Sequence, residues 1–323
     1  GLFYMKGGRL SALFHSYLCG RIAAEWLIIM KTNKSGAIVR IVLWSLTAVI
    51  LLGLLLWCLG LFPGLQIEGI SFGNWALHYD ESSQYQIGSG SVPAENLNAL
   101  EINWVDGTVD LVLTDGNSVV FQENEGLDED EQLRYRVVGG RLIIQYCKSQ
   151  WGIGLFGFRT PKKNLTLEIP RSLAGQLTDL EIDVTSASVT GQDLTARNCR
   201  LNSVSGSILL ERCSFDFLEM DTVSGGLTLS GQANRLELDG VSADMTLSLS
   251  QVPGEISSDT VSGHVQITLP ADASFSAELD SVSGKLDCQF STSKQGDVYY
   301  CGQGGGAFSF DSVSGNVRIQ KAA

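Results

Sequence analysis

Asp221-Thr222-Val223-Ser224-Gly225 is one copy of a phrase that runs down the C-terminal half of this 323-residue chain. It is preceded by Asn202-Ser203-Val204-Ser205-Gly206 and followed by Asp239-Gly240-Val241-Ser242-Ala243 and Asp259-Thr260-Val261-Ser262-Gly263. Asp280-Ser281-Val282-Ser283-Gly284 and Asp311-Ser312-Val313-Ser314-Gly315 complete the series. The valines lie 19, 18, 20, 21 and 31 residues apart. That period is too short for helix pairs and fits a coil with one turn per repeat. A single unit of this size cannot bury its own apolar side, so the copies stack.

Apolar residues alternate with polar ones on both sides of each valine. Three and five residues before it lie pairs such as Met220 and Leu218, or Leu238 and Leu236; four and six after it lie Leu227 and Leu229, or Met245 and Leu247. Arg200, Glu219, Glu237 and Glu278 fall between the first set, and Thr228, Thr246, Gln266 and Arg318 between the second. Period-two alternation repeated in phase predicts strands. Each turn is then a strand, a sharp corner and a second strand, with the valine pointing inward. Val223 and Val261 are expected to be stacked and buried, and Thr228 to face solvent. The fold class is all-β, a parallel β-solenoid of roughly 19–21 residues per turn without helices of consequence.

The frame continues upstream. Leu180, Ile182, Asp183 and Val189 fit it, with Thr185 in the valine's place; Leu100, Ile102, Asn103, Val105, Gly107, Val109 and Leu111 fit it again. Between these turns lies an insertion with a hairpin over residues 132–147, turning at Gly139-Gly140, where positive φ is easily adopted. Trp151, Phe156 and Phe158 sit on a glycine-rich loop, read either as a cap on the solenoid end or as a membrane- or glycan-docking loop.

Residues 41–62, IVLWSLTAVILLGLLLWCLGLF, carry no charge. As a helix, 22 residues span ~33 Å, enough for a bilayer core. Lys31, Lys34 and Arg40 precede the run, and no Lys or Arg follows until Arg134, so the N-terminus is expected inside and the rest outside. A cleaved signal peptide is the rival; the length of the run and the lack of a small-x-small site favour a retained anchor. The expected layout is a cytoplasmic segment 1–40, a transmembrane helix 41–62, a linker and irregular start 63–94, and an extracytoplasmic solenoid 95–323. Residues 1–29 fit this layout poorly, and translation from Met30 and a short amphipathic helix are both open readings.

Beyond residue 62, sixteen basic residues face thirty-four acids, a net charge of −18. Such a surface argues against nucleic acid and anionic lipid as ligands. The run Glu123, Glu125, Asp128, Glu129, Asp130, Glu131 is read as a solvated turn. Seven cysteines form no dense framework and no zinc spacing. Cys199 and Cys288 are expected as small inward residues, and a bridge between Cys288 and Cys301 is one option for an exported domain.

The motif Leu165-Thr166-Leu167-Glu168-Ile169-Pro170, then Leu180-Glu181-Ile182, then the serial Val-Ser-Gly turns resembles the bacterial "putative adhesin" or toast-rack domain family over residues 95–320. The resemblance implies a membrane-anchored or surface β-solenoid. It also implies an association with envelope-stress sensing in Gram-positive bacteria, beside small membrane proteins and two-component regulators. It supplies no catalytic residues. The chain departs from the plain repeat at Ala243, which makes close packing, rather than positive φ, the better reason for glycine at that corner position.

No nucleophile elbow, phosphate-binding glycine loop or matched histidine is present. His264 is expected outward. No catalytic residue and no cofactor are assigned, and a polysaccharide-active enzyme rests on fold analogy alone. The reading is a non-enzymatic surface module tethered in the cytoplasmic membrane by residues 41–62, acting with other envelope or signalling proteins. The alternative is an adhesin for host or matrix glycans. One site-like feature remains, the acidic column Asp183, Asn202, Asp221, Asp239, Asp259, Asp280, Asp311. Its carboxylates either close the corners as Asx-turns or, over Asp221, Asp239, Asp259, Asp280 and Asp311, bridge a row of calcium ions. Asn202 interrupts the column, which favours the turns.

Overall fold

The computed structural model describes residues 79–149 and 162–322. The apolar run 41–62, everything before it, and the aromatic loop with Trp151, Phe156 and Phe158 lie outside the described residues. Among the described residues no helix is long and apolar enough to cross a membrane.

The strands follow the alternation. The chain enters through β1 (Gln86–Ile87) and β2 (Gly90–Pro93), in the stretch read as an irregular start. The first turn of the solenoid is β3 (Ala99–Trp104) and β4 (Gly107–Thr114), followed by β5 (Ser118–Glu123) and β6 (Arg134–Val138). Then come β7 (Arg141–Gln145), β8 (Lys163–Pro170), a helical turn α1 (Arg171–Ala174), β9 (Leu177–Val184) and β10 (Ser188–Gln192). The regular repeats form β11 (Thr195–Ser203), β12 (Ile208–Thr222), β13 (Leu227–Gly240), β14 (Met245–Leu249), β15 (Glu255–Thr260) and β16 (Val265–Leu269). The chain ends in β17 (Phe275–Ser281), β18 (Leu286–Cys288), β19 (Thr292–Gln295), β20 (Val298–Cys301), β21 (Gly306–Ser312) and β22 (Val317–Lys321).

Successive turns pair in parallel with equivalent residues in register: Asp183 with Asn202, Asn202 with Asp221, Asp221 with Asp239, Asp239 with Asp259. The stacking order departs from chain order at both ends. Turn β3–β4 lies between turns β7–β8 and β9–β10. Turn β21–β22 lies between β15–β16 and β17–β18. The acidic column therefore runs Asp259, Asp311, Asp280. The first and last turns in chain order are therefore interior ones, with a neighbouring turn on each side. The hairpin turns at Gly139 and Gly140, with φ of 57° and 83°, but its second strand, β7, is itself a solenoid strand.

The core is a set of aliphatic columns. Ile182, Leu201, Met220 and Leu238 stack in one of them and Val189, Ile208, Leu227 and Met245 in another, all buried. Near the C-terminal end Phe308 and Phe310 are larger than their counterparts. Phe310 stacks on Ser258 and Phe308 on Ala277, small residues that make room for the rings. Ser258 is buried with no hydrogen-bond partner for its hydroxyl.

The corners differ from the sequence expectation. The valine points out: Val204, Val223, Val241 and Val282 are 41%, 49%, 37% and 58% exposed, and Val261 is half-buried. The residue before it points in, and Ser203, Thr222 and Thr260 are buried. Parity explains this. Positions three and five before the valine are inward, so the position one before it is inward too and the valine is not. The hydroxyl saves the corner from a buried unsatisfied N–H: Thr222 Oγ1, Ser281 Oγ and Ser312 Oγ accept from the N–H of Gly225, Gly284 and Gly315 at 2.9, 2.8 and 2.6 Å. Close approach sets the glycines. A Cβ on Gly206, Gly263 or Gly284 would lie 1.9–2.0 Å from a carbonyl oxygen of the adjacent turn. Ala243 is tolerated beside Gly240, which occupies the hydroxyl position and leaves space, with 3.2 Å between its own would-be Cβ and that of Ala243.

Candidate interaction surface

The corner turns the repeat into a linear surface feature. Each serine after the valine donates its N–H to the preceding turn: Ser224 to Val204 C=O at 2.9 Å, Ser242 to Val223 C=O at 2.9 Å, Ser262 to Val241 C=O at 2.9 Å. Most add a second bond through Oγ to the same oxygen, as Ser224 and Ser262 do at 3.2 Å. These bonds hold the corner backbone rigid and leave the valine side chains standing outward, one every ~4.8 Å. The exposed part of the ridge is Val204, Val223 and Val241 on consecutive turns, and it continues through the half-buried Val261 and Val313 to the exposed Val282.

Acidic columns flank the ridge on one face. The first, two residues before the valine, is Asn103, Asp183, Asn202, Asp221, Asp239, Asp259, Asp311, Asp280. The second, two residues further back, includes Glu101, Glu181, Glu219, Glu237 and Glu278. Three arginines thread between the acids: Arg141 reaches Glu181 at 2.9 Å and Glu101 at 3.5 Å, Arg200 reaches Glu219 at 3.2 Å, and Arg235 bonds Glu237 and, at 3.3 Å, Glu255. The opposite face of the corner carries Thr190, Thr228, Thr246 and Gln266; Thr228 and His264 are exposed there, as expected.

The first column does not supply the corner bonds at Gly225, Gly284 and Gly315, whose N–H groups go to the neighbouring hydroxyls. Its polar groups instead interact along the stack. Asn202 Nδ2 donates to Asp183 Oδ1, and Asp259 N–H donates to Asp239 Oδ1 at 3.3 Å. Burial pushes the Asp183 carboxyl up to about 7, with Glu181 and Glu101 adding to it and the Asn202 hydrogen bond opposing. Burial, then the like charges of Asp239, Glu219 and Glu237, raise Asp221; burial, then Asp259, raise Asp239. Among the described residues no three His, Cys, Asp or Glu side chains converge as a metal site requires.

A second ionic feature was not legible in the sequence. Lys163 takes the glycine position of the end turn β7–β8, in register with Gly107. Its ammonium points into the end of the core and is fully buried. Nζ bonds Glu123 Oε2 and the Glu131 carbonyl, both at 2.7 Å, and the Tyr146 carbonyl. The rings of Trp104 and Tyr146 lie 4.8 and 4.3 Å away. Glu123 is therefore not part of a solvated acidic turn: it is 3% exposed and also accepts the Leu133 N–H at 2.6 Å. Burial pulls the Lys163 ammonium below the usual lysine range, and Glu123 opposes this. With every donor satisfied, the pair is a structural pin between end cap and coil. Cys199 is buried as expected; Cys288 is half-buried, and Cys288 and Cys301 are free thiols.

No curated protein matches the chain. A "putative adhesin" from Bacteroides fragilis NCTC 9343 is similar in structure at 13% identity and a TM-score of 0.44, over 73% of this chain and 97% of that one. A "putative lipid binding protein" from Parabacteroides distasonis ATCC 8503 is similar at 13% identity and a TM-score of 0.43, over 74% and 97%. Neither likeness is close enough to carry a ligand across. The family assignment rests on sequence: residues 91–320 match throughout the repeats, and the chain belongs to the Toastrack DUF4097 family.

Proposed function

We propose that the chain is a non-enzymatic binding and scaffolding module, tethered to the cytoplasmic membrane by residues 41–62 and presented on its outer side. In this reading it takes part in sensing or answering damage to the cell envelope. The observation that carries the binding role is the valine ridge. Val204, Val223 and Val241 are exposed on three consecutive turns, at corners held by serine hydrogen bonds to the neighbouring turn, and form an apolar line between an acidic and a hydroxyl-rich face. A monomeric domain has no folding reason to line up exposed valines, and contiguous apolar surface marks interaction sites. Solenoids present such extended surfaces to partners. The uncharged run 41–62 with Lys31, Lys34 and Arg40 on one side supports the tether and its orientation.

Site-specific photo-cross-linking in native membranes tests this. A probe at Val223 is expected to capture a defined envelope protein, a probe at Thr228 is not, and serine at Val204, Val223 and Val241 together should abolish the capture. Equal labelling from both positions would remove the ridge from the argument. Protease added to wall-less cells should digest the solenoid; its protection would overturn the orientation.

A further inference from the structure

The two ends of the solenoid are finished differently. At one end β6 pairs antiparallel with β7, and β5 with β8. At the other, β20 pairs antiparallel with β17, whereas β18, among the described residues, pairs with β22 alone. Val317 N–H donates to the Lys285 carbonyl and Gln289 N–H to the Ile319 carbonyl, both at 2.9 Å. Residues 285, 287 and 289 thus face β22, and the main-chain groups of Leu286 and Cys288 point away from the sheet. Their side chains are half-buried at the end of the core, and Val282, at the corner of the same turn, is the most exposed valine of the ridge. An open edge with apolar side chains is a template for another strand.

The sequence of this edge selects its own copy. Lys285 and Asp287 are exposed on the outer face, and Asp287 also meets Arg318 at 3.3 Å. A lone edge lysine would repel an incoming strand. In an antiparallel pair centred on Leu286, however, Lys285 falls opposite Asp287 of the partner subunit, and the same contact recurs across the two-fold axis. Leu286 becomes a hydrogen-bonded pair with its own copy, which uses the N–H and C=O left free at the edge, and both leucines lie on the core side. We propose that β18 joins two copies of this chain through antiparallel self-pairing about Leu286, continuing one sheet across both molecules. A strand this short makes a weak contact, below the ~1,200 Å² of a standard interface, so cross-linking is the suitable readout.

Opposed residues of a hydrogen-bonded pair have Cα atoms ~5.5 Å apart, inside the ~4.4–6.8 Å that a disulfide spans. The full chain in detergent, carrying Cys288→Ser, provides the background. Adding Leu286→Cys should give a disulfide-linked dimer on mild oxidation, and adding Thr228→Cys instead should not. Asp287→Lys on top of Leu286→Cys should lower the dimer yield about fivefold, from two exposed ion pairs replaced by repulsion, and Lys285→Asp should then restore it. No cross-link at residue 286, equal cross-linking at 228, or a yield indifferent to both charge changes would overturn the pairing.

Discussion

Asp183→Asn is expected to stabilise the solenoid near neutral pH, although it removes a charge from a hydrogen-bonded position. Asp183 is 7% exposed and sits between Asn103 and Asn202 in the first polar column. Its one side-chain hydrogen bond, from Asn202 Nδ2, does not offset burial and the nearby Glu181 and Glu101, so its carboxyl titrates at about 7 against ~3.9 in an unfolded chain. The folded state therefore holds a proton that the unfolded state has released between these values. Stability should fall as pH rises from about 4 through 7, which is the reverse of a salt-bridged aspartate. About three pKa units at ~1.36 kcal/mol each give a ceiling of about 4 kcal/mol. Asparagine mimics the protonated acid: it accepts from Asn202 and can donate towards Asn103, extending an amide ladder. Denaturant unfolding of the full chain at pH 5 and pH 7.5 reads both effects. The wild type should lose stability over this interval; Asp183→Asn should lose less and exceed the wild type at pH 7.5. Asp221 and Asp239 shift in the same direction, so some slope should survive the substitution. A wild type that gains stability from pH 5 to 7.5, or a variant weaker than the wild type at pH 7.5, would refute the argument.

Lys163→Met should cost about 3–5 kcal/mol by stranding the buried Glu123 carboxylate, and adding Glu123→Gln should recover much of it; a neutral single variant in chemical denaturation would show that the pin is dispensable. Gly263→Ala should cost about 2 kcal/mol or more, because its Cβ would sit 1.9 Å from the Ala243 carbonyl oxygen. Gly116→Ala, with nothing nearer than 3.6 Å, should be close to neutral, and equal melting temperatures would contradict the close packing of the corner. Val223→Asp should cost about 1 kcal/mol or less at its half-exposed position, against about 3–5 for Leu229→Asp in the core; similar losses would restore the inward valine.

The period of the Val-Ser-Gly phrase and the alternation around it determined a great deal: parallel strands, one turn per repeat, the aliphatic columns, the outward Thr228 and His264, and the close-packed glycines. These follow from local rules, since a side-chain period of two and a repeat of about twenty residues permit few architectures. The alternation also contained the orientation of the valine, because inward Met220 and Leu218 put Thr222 inward and Val223 outward. Hydrophobicity pointed the other way, and at a corner backbone parity prevails, since the small hydroxyl that fits inside also caps the Gly225 N–H. Other features were beyond sequence reasoning. The exchange of turns at each end depends on which neighbouring turn a strand pairs with, and β17–β18 and β21–β22 carry the same phrase. The partnership of Lys163 with Glu123 joins residues forty positions apart through a hairpin whose packing no spacing encodes. The shift of Asp183 arises from burial between neighbouring turns, a property of depth in the stack that tertiary structure alone decides.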